Sequence, residues 1–135
     1  MSERDGYQHG VPCWVETWQP DPDAAAAFYR SLFGWETTGP SGGPLMCSLR
    51  GRDVALIGAQ PPERAQLPVA WTTYVQVEKA DETAARVTGA GGSILAAPFE
   101  SLDGGRMVVF ADPTGAVLGA WQPGEHRGAQ VVASG

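Results

Sequence analysis

Pro20-Asp21-Pro22-Asp23-Ala24-Ala25-Ala26-Ala27-Phe28-Tyr29-Arg30-Ser31-Leu32-Phe33-Gly34-Trp35 carries the signals for both ends of a helix. Asp21 can accept hydrogen bonds from the free N–H groups of a first turn. Pro22 suits the first helical position, where a missing N–H costs nothing. Asp23 sets a negative charge against the positive end of the helix dipole. Four alanines supply helix propensity. Ala25, Phe28, Tyr29, Leu32 and Phe33 recur at three- and four-residue spacing and predict a wide apolar face for a sheet to cover. Gly34 suits the left-handed position just past the last turn. Trp35 follows and is expected in the core.

Outward from this helix, the chain reads as a repeat. Before it, Val11 to Trp18 predicts a strand, with Trp14, Glu16 and Trp18 on one side and Cys13, Val15 and Thr17 on the other. After it, Glu36–Thr38, Leu45–Leu49 and Val54–Gly58 predict short strands, separated by the loop 39–44 and the polar turn 50–53. Residues 59–68 have the composition of a linker. The pattern then restarts. Val69–Val77 predicts a strand. Asp81 is positioned to cap a second helix ending near Gly89, with Ala84, Ala85 and Val87 inward. Strands follow at Ser93–Ala97, Arg106–Phe110 and Ala116–Gln122. Asp112-Pro113-Thr114-Gly115 has the residues of a type I turn in order. Trp14 superposes on Trp71, an offset of 57 (71 − 14), and the same offset sets Gly34 on Gly91. Each half reads βαβββ. Neither half can bury its helix and sheet alone, so one domain over 10–122 is expected, with modules at 10–58 and 69–122 and flexible termini at 1–9 and 123–135.

Composition narrows the function. The chain has 135 residues, 43% hydrophobic and 18% charged, with a net charge of −6. A domain of this size buries about 68–70% of its unfolded surface, enough for a core without staples. Nine basic residues against fifteen acidic ones form no phosphate-binding stripe, which argues against nucleic acid. No apolar run approaches a membrane span and no signal peptide is visible, so the reading is cytoplasmic with no membrane partner. Cys13 and Cys47 sit in apolar runs and read as buried free thiols. No nucleophile elbow, P-loop or dinucleotide glycine motif is present.

Two βαβββ halves, the Ala27-to-Trp35 helix end (Ala-Phe-Tyr-x-x-Leu-Phe-Gly-Trp) and the turn Phe110-Ala111-Asp112-Pro113-Thr114-Gly115-Ala116 together resemble the vicinal oxygen chelate superfamily. This is the glyoxalase, bleomycin-resistance and extradiol-dioxygenase group. The resemblance covers residues 10 to 122. It implies an α+β fold, an incomplete β-barrel with a central cleft, helices outside and a homodimer. Metal-dependent members place His or Glu on the first and last strand of each half. The matching positions here are Trp14, Ala55 or Leu56, Trp71 or Thr72, and Gly119. A divalent cation needs several N, O or S donors, which these residues do not provide. The two histidines, His9 and His126, lie outside the repeat. No metal and no other cofactor is expected.

The resemblance places Trp14, Glu16 and Trp18 in the cleft, with Thr72, Tyr74 and Gln76 from the second half and Gly119 and Trp121 from the last strand. Flat aromatics with a few polar groups suit a planar, mostly apolar natural product. Inward aromatics are more often core than ligand platform, and Trp35 and Trp71 are assigned to core. Glu16 can meet a cationic or donating part of a ligand, or be neutralised internally by Arg50, Arg52 or Arg106. Two functions follow. One is a metal-independent binding protein that sequesters an antibiotic, as bleomycin- and enediyne-resistance members do. The other is a metal-independent tailoring enzyme of the cyclase or lyase type, or a glyoxalase-like enzyme. In the tailoring enzyme Glu16 serves as the base, its pKa raised by apolar walls.

Overall fold

The computed structural model describes residues 2–3, 7–62, 65, 68–101, 104–124 and 131–132. Its contacts divide the chain into two compact units. The first holds residues 1–4, 15–71 and 129–135, and the second holds 5–14 and 72–128. The elements are β1 (Ser2–Glu3), β2 (Pro12–Gln19), α1 (Pro22–Phe33), β3 (Glu36–Thr38), β4 (Leu45–Leu49) and β5 (Arg52–Ala59), then β6 (Trp71–Gln76), α2 (Ala80–Gly89), β7 (Ser93–Glu100), β8 (Arg106–Ala111), β9 (Val117–Gln122) and β10 (Val131–Val132).

Each unit repeats one arrangement. In the first, β3 pairs antiparallel with β4 and β4 with β5. The outgoing strand β5 then runs parallel to β2, with Glu16 beside Leu56 and Trp18 beside Gly58. In the second, β7 pairs antiparallel with β8 and β8 with β9, and β9 runs parallel to β6, with Tyr74 beside Gly119. The parallel pairing is the signature of the repeat: the helix carries the chain over so that the last strand returns beside the first. The strand order is β3-β4-β5-β2 in the first unit and β6-β9-β8-β7 in the second. At the chain ends, Ser2 and Glu3 pair with Val132 and Val131, within a stretch expected to be loose. Much of the expected linker 59–68 and of both termini, His126 included, lies outside the described residues.

Helix α1 forms where its caps predict. Asp21 accepts a hydrogen bond from the Ala24 N–H at 3.1 Å, and Gly34, at φ 75°, donates to the Arg30 carbonyl at 2.9 Å. Its packing face differs from the expected one. Pro22 and Ala26 are buried and Ala25 and Tyr29 half-buried, whereas Phe28 is 59% and Phe33 54% exposed. The small Ala26 side chain lets the helix sit close to Leu45, Cys47, Ala55 and Ile57. At 100° per residue this turns Phe28 and Leu32 outward. Trp71 also departs from expectation: it is 36% exposed rather than core.

Helix α2 starts without the predicted cap. Lys79 is the N-cap and its side chain makes no capping bond. Instead the Ala80 N–H donates to Oε1 of Gln122 on β9, at 3.0 Å. Asp81 lies one position inside the helix, where its carboxylate takes bonds from Arg106 at 3.1–3.2 Å. Ala84 packs on Val77, Ala80, Val108 and Ala120. Ala85, expected inward, is exposed, because it lies on the opposite side of the helix from Ala80 and Ala84's buried edge. The turn after β8 forms as predicted. Gly115 donates to the Asp112 carbonyl at 2.9 Å, and Asp112 Oδ1 gathers bonds from the Thr114 hydroxyl and from the Thr114 and Ala116 N–H groups. These bonds hold the Asp112 carboxyl below its ordinary pKa, the Thr114 hydroxyl contributing most.

Candidate functional site

The predicted site residues fall into the two units. Glu16 and Trp18 belong to the first; Trp14, Thr72, Tyr74, Gln76, Gly119 and Trp121 belong to the second. Trp14, Glu16 and Trp18 alternate along one face of β2.

In the first unit, Trp18 lies over Gly58. A methyl group at Gly58 would stand 3.1 Å from the indole Cδ1, so the absent side chain makes room for the ring. Trp18 is half-buried and keeps part of its surface open. Two residues earlier on the same face, Glu16 is 2% exposed. A carboxylate this deep is unusual and has to be neutralised or hydrogen-bonded where it lies. Of the three arginines weighed as internal partners for Glu16, Arg106 is engaged with Asp81. Behind this face, the Thr17 hydroxyl donates to the Ala70 carbonyl at 2.8 Å and fixes β2 against the segment leading into β6.

The second unit repeats the motif with a tighter fit. The Tyr74 ring lies directly over Gly119, where a methyl group would come within 2.3 Å of it. Tyr74 is fully buried, and Trp121 is 1% exposed. Thr72 and Gln76 are half-buried. Gln76 is tied down by its neighbours. Its backbone exchanges bonds with the Gly10 N–H and the Val11 carbonyl, and its side-chain amide donates to the Tyr7 carbonyl. An aromatic residue of the first strand over a glycine of its parallel neighbour is therefore common to both units. Gly58 was not singled out from the sequence. Its signal was a glycine inside a strand, which marks a close approach.

The positions matched to metal ligands offer one hydroxyl, that of Thr72, and no carboxylate, imidazole or thiolate. At Gly119 the space for a ligand side chain is occupied by the Tyr74 ring. This donor set does not fit a divalent cation. Among the described residues, no three His, Cys, Asp or Glu side chains are grouped so as to hold one elsewhere. Both cysteines are free and buried. Burial pushes the Cys13 thiol up to about 12 and the Cys47 thiol to about 11, so neither is a nucleophile. A pocket of about 390 Å³ lies beside the start of α2, lined by His9, Glu78, Lys79, Glu82, Thr83 and Arg86. It includes none of the predicted site residues. No helix among the described residues is long and apolar enough to cross a membrane.

The aromatic residues assigned to core form a separate cluster on the first unit. Tyr29 stacks on Trp35 with centroids 5.6 Å apart and meets Trp71 edge-on at 5.2 Å, and the Trp71 indole N–H donates to the Tyr29 hydroxyl at 2.8 Å. Phe28 and Phe33 extend the cluster onto the exposed side of α1.

Comparison with known proteins bears on the family and the fold. Two curated relatives of different names illustrate the likeness. "Putative glyoxylase CFP32" of Mycobacterium tuberculosis (strain CDC 1551 / Oshkosh) is 39% identical over 98% of this chain and 53% of its own length. "Anthracycline biosynthesis protein DnrV" of Streptomyces peucetius is 37% identical over 91% of this chain and 50% of its own. The chain spans about half the length of these relatives. Among solved structures, the Mn(II)-bound glyoxalase from Novosphingobium aromaticivorans matches with a TM-score of 0.61 at 18% identity, over 94% of this chain and 43% of that one. A Streptomyces coelicolor methylmalonyl-CoA epimerase matches at 0.58 and 14% identity, over 89% and 99%. These likenesses are of fold alone. A family model matches residues 14–119, and the chain belongs to the Glyoxalase/Bleomycin resistance protein/Dioxygenase superfamily.

Proposed function

We propose that this protein is a metal-independent, cytoplasmic small-molecule-binding protein, acting as a homodimer, that sequesters a planar and largely apolar natural product. The observation that carries this reading is the β2 face. Half-buried Trp18 packs against Gly58, and the buried carboxylate of Glu16 stands two residues away on the same side. An indole held by its surroundings is a stacking platform that loses little entropy on binding, and a nearby carboxylate favours a cationic or donating substituent. The names of two relatives support the ligand class, since an anthracycline is a flat polycycle.

The test is equilibrium dialysis against an anthracycline. Stacking plus burial of one ring contributes on the order of 1–3 kcal/mol. Trp18→Ala should therefore weaken binding about tenfold to a hundredfold, with the circular dichroism spectrum unchanged. Trp18 is a better probe than buried Trp14, whose truncation would disturb the core. Unchanged affinity in Trp18→Ala would remove the platform, and no binding of any planar polycycle would remove the reading.

A second reading, a metal-independent tailoring enzyme, is favoured by the same buried Glu16 and by the word biosynthesis in the relatives' names. It requires Glu16 to take a proton from the bound molecule.

A further inference from the structure

Among the described residues, the most exposed large apolar side chains lie on α1. Phe28 is 59% and Leu32 57% exposed, and the rest of that helix face is Ala24, Ala27 and Ser31; Phe33, 54% exposed, sits at the helix end about 140° round from Phe28. No charged residue stands among them. The two charges of the helix itself point elsewhere: Asp23 bonds Ser41 and Gly42, and Arg30 bonds the Thr37 hydroxyl. A solvent-facing helix ordinarily carries its charges on this side, and large exposed aromatics in a cluster mark an interaction surface.

The chemistry of the face limits its occupant. A small flat ligand needs a slot, but these rings pack on one another at 5.0–6.1 Å and leave none between them. An anionic membrane surface would be repelled by a chain of net charge −6 with no basic residue on the face. A strongly charged protein partner would find nothing to pair with. A second copy of this chain is different. Two molecules of net charge −6 repel wherever their acidic surfaces meet, and an uncharged face is where they can approach.

The pattern of the face is also self-complementary. When two α1 helices run antiparallel across a twofold axis at Phe28, Ala24 of each lies opposite Leu32 of the other. Each Leu32 then fills the gap above an Ala24, the two Phe28 rings meet at the axis, and the contacts repeat in both directions, as an isologous interface requires. We infer that α1 is the homodimer interface, two copies docking helix to helix through Phe28 and Leu32 with the Tyr29–Trp71 aromatic cluster at the rim. This rests on the homodimer reading and is independent of the ligand.

Sedimentation velocity at micromolar concentrations tests it, with Phe28→Asp, Leu32→Asp and Phe28→Ala beside Val117→Asp. Val117 is a control of similar exposure, 51%, on β9. The wild type and Val117→Asp should sediment as dimers. Both charge variants should sediment as monomers with unchanged circular dichroism. Phe28→Ala, which removes the ring without adding charge, should raise the dimer dissociation constant at least tenfold and serves if an Asp variant does not fold. A monomeric wild type would overturn both the homodimer and this face. Dimers retained in the helix variants, or lost equally in Val117→Asp, would overturn the face alone.

Discussion

Gly119 shows how one residue can decide both packing and chemistry. It stands on the last strand of the second half, where the family's metal-dependent members carry a ligand, and the Tyr74 ring fills the space its side chain would need. In this chain the absence of a donor at Gly119 and the burial of the Tyr74 ring go together. Gly119→Ala puts a methyl group 2.3 Å from the ring, and Tyr74, fully buried, has nowhere to retreat. Such overpacking costs about 1–3 kcal/mol, so thermal unfolding should show a melting temperature lower by several degrees; an unchanged value would mean the ring is not fixed there. The two thiols act at the same scale. Burial raises Cys13 to about 12 and Cys47 to about 11, so the folded chain holds these protons more tightly than the unfolded chain, whose thiols ionise near pH 8.5. The stability they contribute is complete below about pH 8.5 and is lost as pH rises toward 11–12. Denaturant unfolding between about pH 8 and 10 should show a steeper alkaline loss in the wild type than in Cys13→Ala/Cys47→Ala. Equal slopes would refute the linkage.

At the scale of elements, the sequence was legible wherever a local rule fixed the backbone. Asp21, Pro22 and Gly34 bound α1 to the residue, and Asp112 to Gly115 form their turn, because caps and turns depend on a few adjacent side chains. The βαβββ repeat was legible for the same reason, since each element carried its own period. The helix faces were not. Five apolar residues at helical spacing predict a buried stripe, but spacing cannot say how much of the stripe the sheet reaches. Ala26 sets a close approach that leaves Phe28 and Leu32 outside. Nor was the start of α2 legible, because its first N–H is satisfied by Gln122, 42 residues away. The candidate site was readable as a strand face. Gly119 was placed on that face, but Gly58 was not, since Gly58 and Trp18 meet only through the β2–β5 register.

For the whole molecule, the open choice is between holding a ligand and converting it, and Glu16 separates the two. A metal can be set aside as the source of chemistry at the matched positions, because Trp14, Ala55 or Leu56, Trp71 or Thr72 and Gly119 do not form a donor set. Elemental analysis after dialysis should accordingly find well below one divalent metal per chain. A metal-independent conversion must then draw its proton transfer from the side chains, and Glu16 is the carboxylate the β2 face offers. Glu16→Gln keeps the shape of the side chain and removes its charge and basicity. In a binding protein this change should alter affinity by less than about tenfold, more for a cationic polycycle than for a neutral one, because one charge-assisted contact is lost while stacking on Trp18 remains. In an enzyme it should abolish turnover, since general-base assistance contributes about 10²–10⁴-fold, while dialysis still reports binding. The measurement is to incubate an anthracycline with excess protein, denature the mixture and recover the small molecule by mass spectrometry. Recovery of intact ligand from both proteins is the expected result. A product formed catalytically by the wild type and lost in Glu16→Gln would assign the β2 face to catalysis, with Trp18 holding the substrate against its base.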